Sequence, residues 1–426
     1  MANNFDGNIE KKIAKSFIKG FTNDRVLSKN VNTQLLDGKF TPSTGDNAYF
    51  KRPTDYKTVR TTTGDVSGET KSSIVTGQAK GTVQDYFTAF VDYNEADEAL
   101  KMDQLDELLA PMATRIVTDL ELDFGQFMMK NIGLTSGTVG TAISTWDHVS
   151  EANALAQSVG IPRDGKLCMA VNPYTQIALA GNVRGLGGET GAMTANEQAV
   201  INPNFAGMKV LSATTLASYT TGTGADRSGT LSASPTVTYL AAKDTMTQSM
   251  AVTAFQADLV VAAGETVTIT AASGALNMLN LSTRKQIVNQ AGAAVLWTGT
   301  VTETVTLNGS GAGTLVVTGP AIYEAAGQYN TVSQAAVSGD AIVLGGAAST
   351  LIQPNLAWHK EAFAIGSVPI KKLHSTDTLA TTNDGLQFRV SKGVGFLENE
   401  QKLRIDFRPA YSVLNPFFAL KAFGRS

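Results

Sequence analysis

The sequence predicts an α+β fold in which a small all-β barrel or sandwich is set into a mixed α/β body. Three observations carry this. Between residues 103 and 131, Leu105, Leu109, Met112, Ile116, Leu120, Phe124 and Phe127 recur at steps of three and four, the stripe of a long amphipathic helix. Residues 221–350 hold only eleven charged side chains, about half the density elsewhere, and a series of short β-prone runs. Beyond them mixed sequence resumes, so the two flanks resemble each other more than they resemble the insert.

The elements follow in chain order. Ile9, Ile13 and Phe17 recur at i, i+4 and i+8 opposite Lys11, Lys12, Lys15 and Lys19, which predicts a helix over 8–20 with Asp6 or Asn8 at its start and Gly20 at its end. It reads as a surface helix of its own domain, a terminal arm that docks on a partner, or a membrane-surface helix. Residues 41–92 are polar and β-prone, with TTTGDVSGETK as the turn. Two long strands about that tip would form a hairpin with little apolar content, which needs something else to lie on. The helix at 103–131 spans about 43 Å at 1.5 Å per residue. Pro111 predicts a kink or a division into two pieces, and Gly133 a stop. Asp103, Asp106 and Glu107 fit a solvated face near the helix start.

Residues 149–215 read as α/β: a helix over about 149–158, the strand LCMAVN, and a second helix beginning at NPYTQ. GLGGETG at 185–191 matches neither GxxxxGK[ST] nor GxGxxG, so it reads as a surface loop. In the insert, TVTYL, AVTAF, TVTIT, AVLWT, ETVTL, TLVVT and AIVL predict strands of a sandwich or barrel. The sequons at Asn280 and Asn308 are chance matches. PNLAWHKEAFAIG at 354–366 is expected to resume helical and mixed structure, with Leu356, Phe363 and Ile365 in the core. LQFRV and KLRIDF then alternate as a closing strand pair.

Composition excludes several classes. With 426 residues the chain has room for two or three domains, each with a real core. A net charge of −3 and 43% hydrophobic residues argue against disorder and against a polybasic nucleic-acid binder. No run of about 18 apolar residues predicts a membrane span, and the first residues lack the apolar region of a secretory signal. The single Cys168 excludes an intrachain disulfide framework and fits a reducing compartment.

Catalytic signals are sparse. His148, His359 and His374 are the only histidines, with no metal-helix spacing and no second cysteine, so no metal site or cofactor is expected. A Cys-His nucleophilic pair stays open on sequence alone.

Several stretches, read in order, resemble tailed-phage major capsid (coat) proteins: NFAGMKVLSATTLA at 204–217, NLAWHKEAFAI at 355–365, and GLQFRV through RIDFRPAYSV. QYNTVSQAAVSGDAIVL at 328–344 resembles the end of the inserted β domain in coat proteins of short-tailed phages of the Salmonella and Shigella type. The resemblance implies a Hong Kong 97-type fold: an N-terminal arm (1–40), an extended β-hairpin loop (41–92), a spine helix region (93–135), an axial α/β core (136–220), an inserted all-β domain (221–346), and the remainder of the core with C-terminal strands (347–426). It implies no catalytic residue. His359 becomes a satisfied core histidine and Trp358 a packed aromatic. The candidates for intersubunit contact are Asp65, Glu69 and Lys71 at the hairpin tip, with Lys243 and Asp244 as the charged pair of an insert otherwise poor in charge.

The implied partners are copies of the chain itself in pentamers and hexamers, a scaffolding protein, a portal complex at one vertex, and packaged double-stranded DNA without sequence-specific contact. No membrane is implied. The expected location is the virion, after assembly in the host cytoplasm. Shells hold by many weak repeated contacts, and a near-neutral subunit avoids self-repulsion. The alternatives are a bacterial surface or adhesive β-rich protein, which the Thr/Gly-rich insert favours, and an enzyme of unknown type.

Overall fold

Sequence pattern turns into structure most directly in the long helix of a computed structural model, which describes residues 18–19, 21, 25–33, 47–52, 54–94, 105–185, 193, 195, 197–199, 201–235, 237–271, 274–325, 327–374, 377–395 and 400–425. Leu105–Lys130 is one helix of 26 residues. Ile116, Leu120, Phe124 and Met128 are buried along it. Pro111 lies inside the helix, which does not divide in two there as the sequence suggested. Its missing N–H forfeits a single intrahelical bond near the helix start. The predicted helix over 8–20 lies almost wholly outside the described residues, and so do Asp103 and the loop at 186–192.

The chain divides into two compact units, Met1–Tyr49 with Lys80–Gly125 and Phe363–Val413, and Phe50–Ala79 with Gln126–Ala362 and Leu414–Ser426. In the first, a four-stranded antiparallel sheet runs in the order Thr378–Thr381, Gln387–Gly395, Glu400–Phe407, Phe87–Asn94. The closing strand pair expected from LQFRV and KLRIDF is its centre. Phe21 meets Phe388 edge-on at 4.5 Å between ring centroids, and Phe388 stacks on Phe407 at 4.7 Å. Asp406, fully buried in this sheet, accepts from Thr88 Oγ1 at 2.7 Å, Arg404 Nε at 2.6 Å and Arg389 Nε at 3.1 Å. Burial alone would raise its pKa; the bonds from Arg389, Arg404 and Thr88 outweigh that and hold it below the usual range.

In the second unit a six-stranded mixed sheet has the order Leu134–Ser136, Ala419–Ala422, Asn355–His359, Leu167–Val171, Met208–Ser212, Asn204–Phe205. Leu167–Val171 and Met208–Ser212 pair in parallel, with the helix Pro173–Gly185 in the connection between them. The helix Trp146–Val159 ends at Gly160, where φ is 108°, and Ile161 N–H returns to Ala156 C=O at 3.1 Å. Every residue of Leu167–Val171 and Asn355–His359 is buried.

PNLAWHKEAFAIG thus forms two fully buried strands, Asn355–His359 and Phe363–Ser367, rather than helical structure. Burial on both faces removes the polar alternation that marks a strand. Leu356, Phe363 and Ile365 are core residues, as expected.

Residues 228–344 contain a closed barrel. Its strands run Thr266–Ala271, Thr298–Val301, Gly313–Thr318, Thr247–Thr253, Ser228–Leu231, Ala341–Leu344, and the last pairs back to the first. Closure leaves none of the six as a free edge. Trp297 fills the interior and donates Nε1–H to Gly319 C=O at 3.0 Å. TVTYL is not a strand: Tyr239–Ala242 is a helical turn capped by Thr238. A strand the sequence reading passed over, Ser228–Leu231, closes the barrel instead. Where the chain enters and leaves the barrel, Tyr219–Thr220 pairs with Leu351–Ile352.

Candidate functional site

The polar stretch around TTTGDVSGETK is built differently from two long strands. The strands flanking it are short, Asn47–Lys51 and Gln78–Val83, and Phe87–Asn94 pairs with Glu400–Phe407 instead. No strand forms between Arg52 and Gly77 among the described residues. Too few apolar side chains lie here to sustain a free ladder, so the stretch is held by polar contacts to the barrel.

Its base is fixed at two places. Buried Arg52 donates Nη1 to Leu414 C=O and Nη2 to Asp244 C=O, the latter at 3.5 Å. Burial lowers the Arg52 pKa to about 10, against the stabilising pull of Tyr239 and Asp244. Asp244 Oδ1 accepts from Gln78 N–H at 2.9 Å, and Asp244 Oδ2 pairs with Lys243 Nζ at 2.7 Å. At the second place Arg284 Nη2 meets Asp55 Oδ2 at 2.6 Å while its Nη1 donates to Asn330 C=O at 2.8 Å.

The structure therefore brings Lys243 and Asp244 to the foot of the loop, where Asp244 bonds within the chain. Asp65, Glu69 and Lys71 lie in its exposed outer part. Asp65 Oδ1 accepts from Ser67 N–H at 2.9 Å, and that backbone bond first, with the Ser67 side chain second, lowers its pKa. Glu69 N–H donates to Val66 C=O at 3.2 Å. Sequence reading passed over Arg52, Asp55 and Arg284, because polar residues far apart in the chain carry no periodic signal. Gln328 and Tyr329 open the QYNTVSQAAV motif, which was the one available pointer.

The residues raised as catalytic candidates are placed structurally. Cys168 is buried, and burial raises its thiol pKa, with Lys209 opposing, so the nucleophilic thiolate is disfavoured. His148 Nδ1 accepts from Ser144 N–H at 3.3 Å near the start of the helix Trp146–Val159. His359 is buried, and its Nδ1 accepts from Glu361 N–H at 3.3 Å. That bond sets the tautomer in which Nε2–H donates to Asp164 Oδ1 at 2.9 Å. Trp358 packs in the same strand. Among the described residues no group of three His, Cys, Asp or Glu is placed to hold a metal ion, and no helix is long and apolar enough to cross a membrane.

The chain is similar to known proteins over nearly its whole length. The family model of the P22 coat protein (gene protein 5) matches residues 1–424. The major capsid protein of Acyrthosiphon pisum secondary endosymbiont phage 1 is 35% identical over 428 residues, covering 100% of both chains. Among solved structures, a chain of Mycobacterium phage Che8 is similar with a TM-score of 0.45 and 10% identity, over 93% of this chain and 90% of that one. A chain from the capsid of Ralstonia phage GP4 is similar with a TM-score of 0.41 and 9% identity, over 93% of this chain and 88% of that one.

Proposed function

Because this chain belongs to the P22 coat protein family, we propose that it is the major capsid protein of a tailed double-stranded DNA bacteriophage, with a Hong Kong 97-type fold, assembled with scaffolding protein in the host cytoplasm. The full-length match to a curated phage major capsid protein carries the reading. As a member of a structural family, the chain acts by copies contacting one another in a shell. In this reading residues 221–346 are the inserted all-β domain, and the strand-free stretch between Arg52 and Gly77, within 41–92, is the extended loop that reaches a neighbouring subunit. The exposed Asp65, Glu69 and Lys71 are its contact residues. A portal complex at one vertex and packaged DNA complete the particle.

The geometry is suited to this work. A closed barrel adds bulk without an open sheet edge that would pair indiscriminately. An extended polar loop enlarges contact area beyond what a rounded body offers. The test is electron microscopy of sedimented material after expression in bacteria with the phage's scaffolding protein. Closed shells of regular size are expected. A folded chain that forms no shell, tube or spiral with that scaffold would overturn the reading and return attention to the surface-protein alternative.

A further inference from the structure

At its foot the extended loop is closed where Asn47–Lys51 lies beside Gln78–Val83 and Arg52 N–H bonds to Gly77 C=O at 2.8 Å, but beyond these residues it has no ladder of its own. Lys57 N–H bonds to Ser72 Oγ at 2.9 Å across its two arms, but neither arm is a strand. A side chain of the barrel stands where a ladder would. Gln328, 6% exposed, accepts on Oε1 from Ser73 N–H at 3.2 Å and donates from Nε2 to Ser73 C=O at 3.0 Å. The same Nε2 donates to Asp55 C=O on the other arm. One primary amide thus satisfies both backbone groups of Ser73, as a directly paired residue in an antiparallel ladder does, and also joins the opposite arm.

The neighbouring residues of that turn make contacts of the same kind. Tyr329 OH donates to Val75 C=O at 3.5 Å, and its ring stacks on Tyr239 with centroids 3.9 Å apart. Arg284, bound to Asn330 C=O, reaches Asp55 on the loop. Beyond these attachments the residues from 62 to 71 are exposed.

We propose that the 328–330 turn of the barrel is a docking site for the extended loop of its own chain, with Gln328 as the positioning residue that fixes both arms and so the direction in which the tip is presented. The inference deepens the coat-protein reading and rests on it for the loop's role between subunits. Its consequence is that loop and barrel move together. A contact that shifts the barrel also shifts the loop, and a loop released from the turn loses its direction. The amide fits this task because its donor and acceptor sit side by side, and a carboxylate or an aliphatic chain of similar length offers only one or neither.

The test uses the full chain before assembly. Trypsin can cut the loop at Lys57, Arg60 and Lys71, all exposed. In Gln328→Ala, cleavage at these three positions is expected to accelerate at least tenfold while cleavage elsewhere is unchanged. Asp55→Arg and Arg284→Asp are each expected to accelerate cleavage at Lys57, Arg60 and Lys71, and the combined reversal to restore slow cleavage at these three, scored by fragment mass so that cutting at the new residue 55 site is counted apart. Unchanged cleavage in Gln328→Ala overturns the proposal. If Gln328→Ala does not fold by circular dichroism, the reversed pair decides: rescue supports docking, and no rescue overturns it. Shell formation separates the two readings. Faster loop cleavage with normal shells keeps the docking site and removes the loop's role between subunits.

Discussion

The carboxylate of Glu121, on the buried face of the long helix, receives the backbone N–H of Leu27 at 2.6 Å. It also takes the N–H of Ser28 at 3.0 Å and of Val26 at 3.2 Å, with the Ser28 hydroxyl as a fourth donor. One side chain therefore satisfies three successive amides leading into the helical turn Ser28–Asn30. Glu121 and Ser28 are both about 1% exposed, so the Leu27 and Ser28 donors have no route to water.

Removing that acceptor is costly. Glu121→Ala leaves buried amides unpaired and is expected to lower stability by about 3 kcal/mol, in line with breaking a buried charged network. Glu121→Gln keeps one oxygen and is expected to cost about half as much. Urea unfolding of the unassembled chain measures both, and equal midpoints for wild type and Glu121→Ala would remove the anchoring role.

A second prediction concerns pH. Lys421 is wholly buried, and its Nζ donates to Gly264 C=O at 2.6 Å and Thr300 Oγ1 at 3.0 Å. Burial, only partly opposed by the buried Glu265, lowers its pKa from 10.5 to about 7. Glu265 is shared with Arg227, so it does not neutralise the lysine alone. In the unfolded chain the lysine keeps its proton up to its ordinary pKa, while the folded chain has lost it above about 7. The unfolded state thus binds more protons in that window, and stability rises with pH through it. The gain from this group is bounded at about 5 kcal/mol. Lys421→Met removes the slope: its thermal midpoint is expected to change less than wild type between pH 6.5 and 9. Parallel curves for the two proteins would refute the assignment.

Much of this architecture is legible in the sequence where one face of an element is wet. Ile116, Leu120 and Phe124 keep helical spacing because the opposite face carries Arg115, Asp119 and Leu122 toward solvent. GTLVVT and AIVL are strands because they line a barrel. Legibility fails where both faces are dry, as at Leu356, Ala357 and Trp358, since a run with no polar alternation fits helix and strand alike. It also fails at TVTYL, where Thr238 caps a helical turn and the β-branched residues before it suggest a strand. The loop clamp was hidden for a third reason. Gln328 and Ser73 are 255 residues apart in sequence, and a single long-range side-chain bond leaves no pattern in either segment.

The barrel interior supplies a packing prediction. An added Cβ at Gly299 would lie 2.4 Å from Val317 Cγ1 and 2.9 Å from the Trp297 ring. Trp297 and Val317 are both fully buried, so neither has room to yield. Gly299→Ala is expected to cost about 2 kcal/mol, read as a lower urea midpoint with unchanged slope. An unaltered midpoint would show that the barrel interior relaxes more freely than its contacts imply.

The last prediction separates folding from assembly. Residues 62–71 are exposed, and among them Asp65 bonds to the backbone of its own turn at Ser67. Removing 62–72 takes away little buried surface, but it does remove the Ser72 hydroxyl that receives Lys57 N–H. The barrel, the long helix and both sheets keep their contacts, so the loss of thermal stability is expected to stay within about 1 kcal/mol. Assembly is different, because a contact repeated through a closed shell multiplies a small loss per subunit into failure of the whole. The shortened chain is therefore expected to remain a folded monomer by circular dichroism and sedimentation, and to form no closed shells with scaffolding protein. Shells of normal size from the deletion would show that the tip makes no contact needed between subunits. An unfolded product would instead mean that the tip, for all its exposure, supports its own chain.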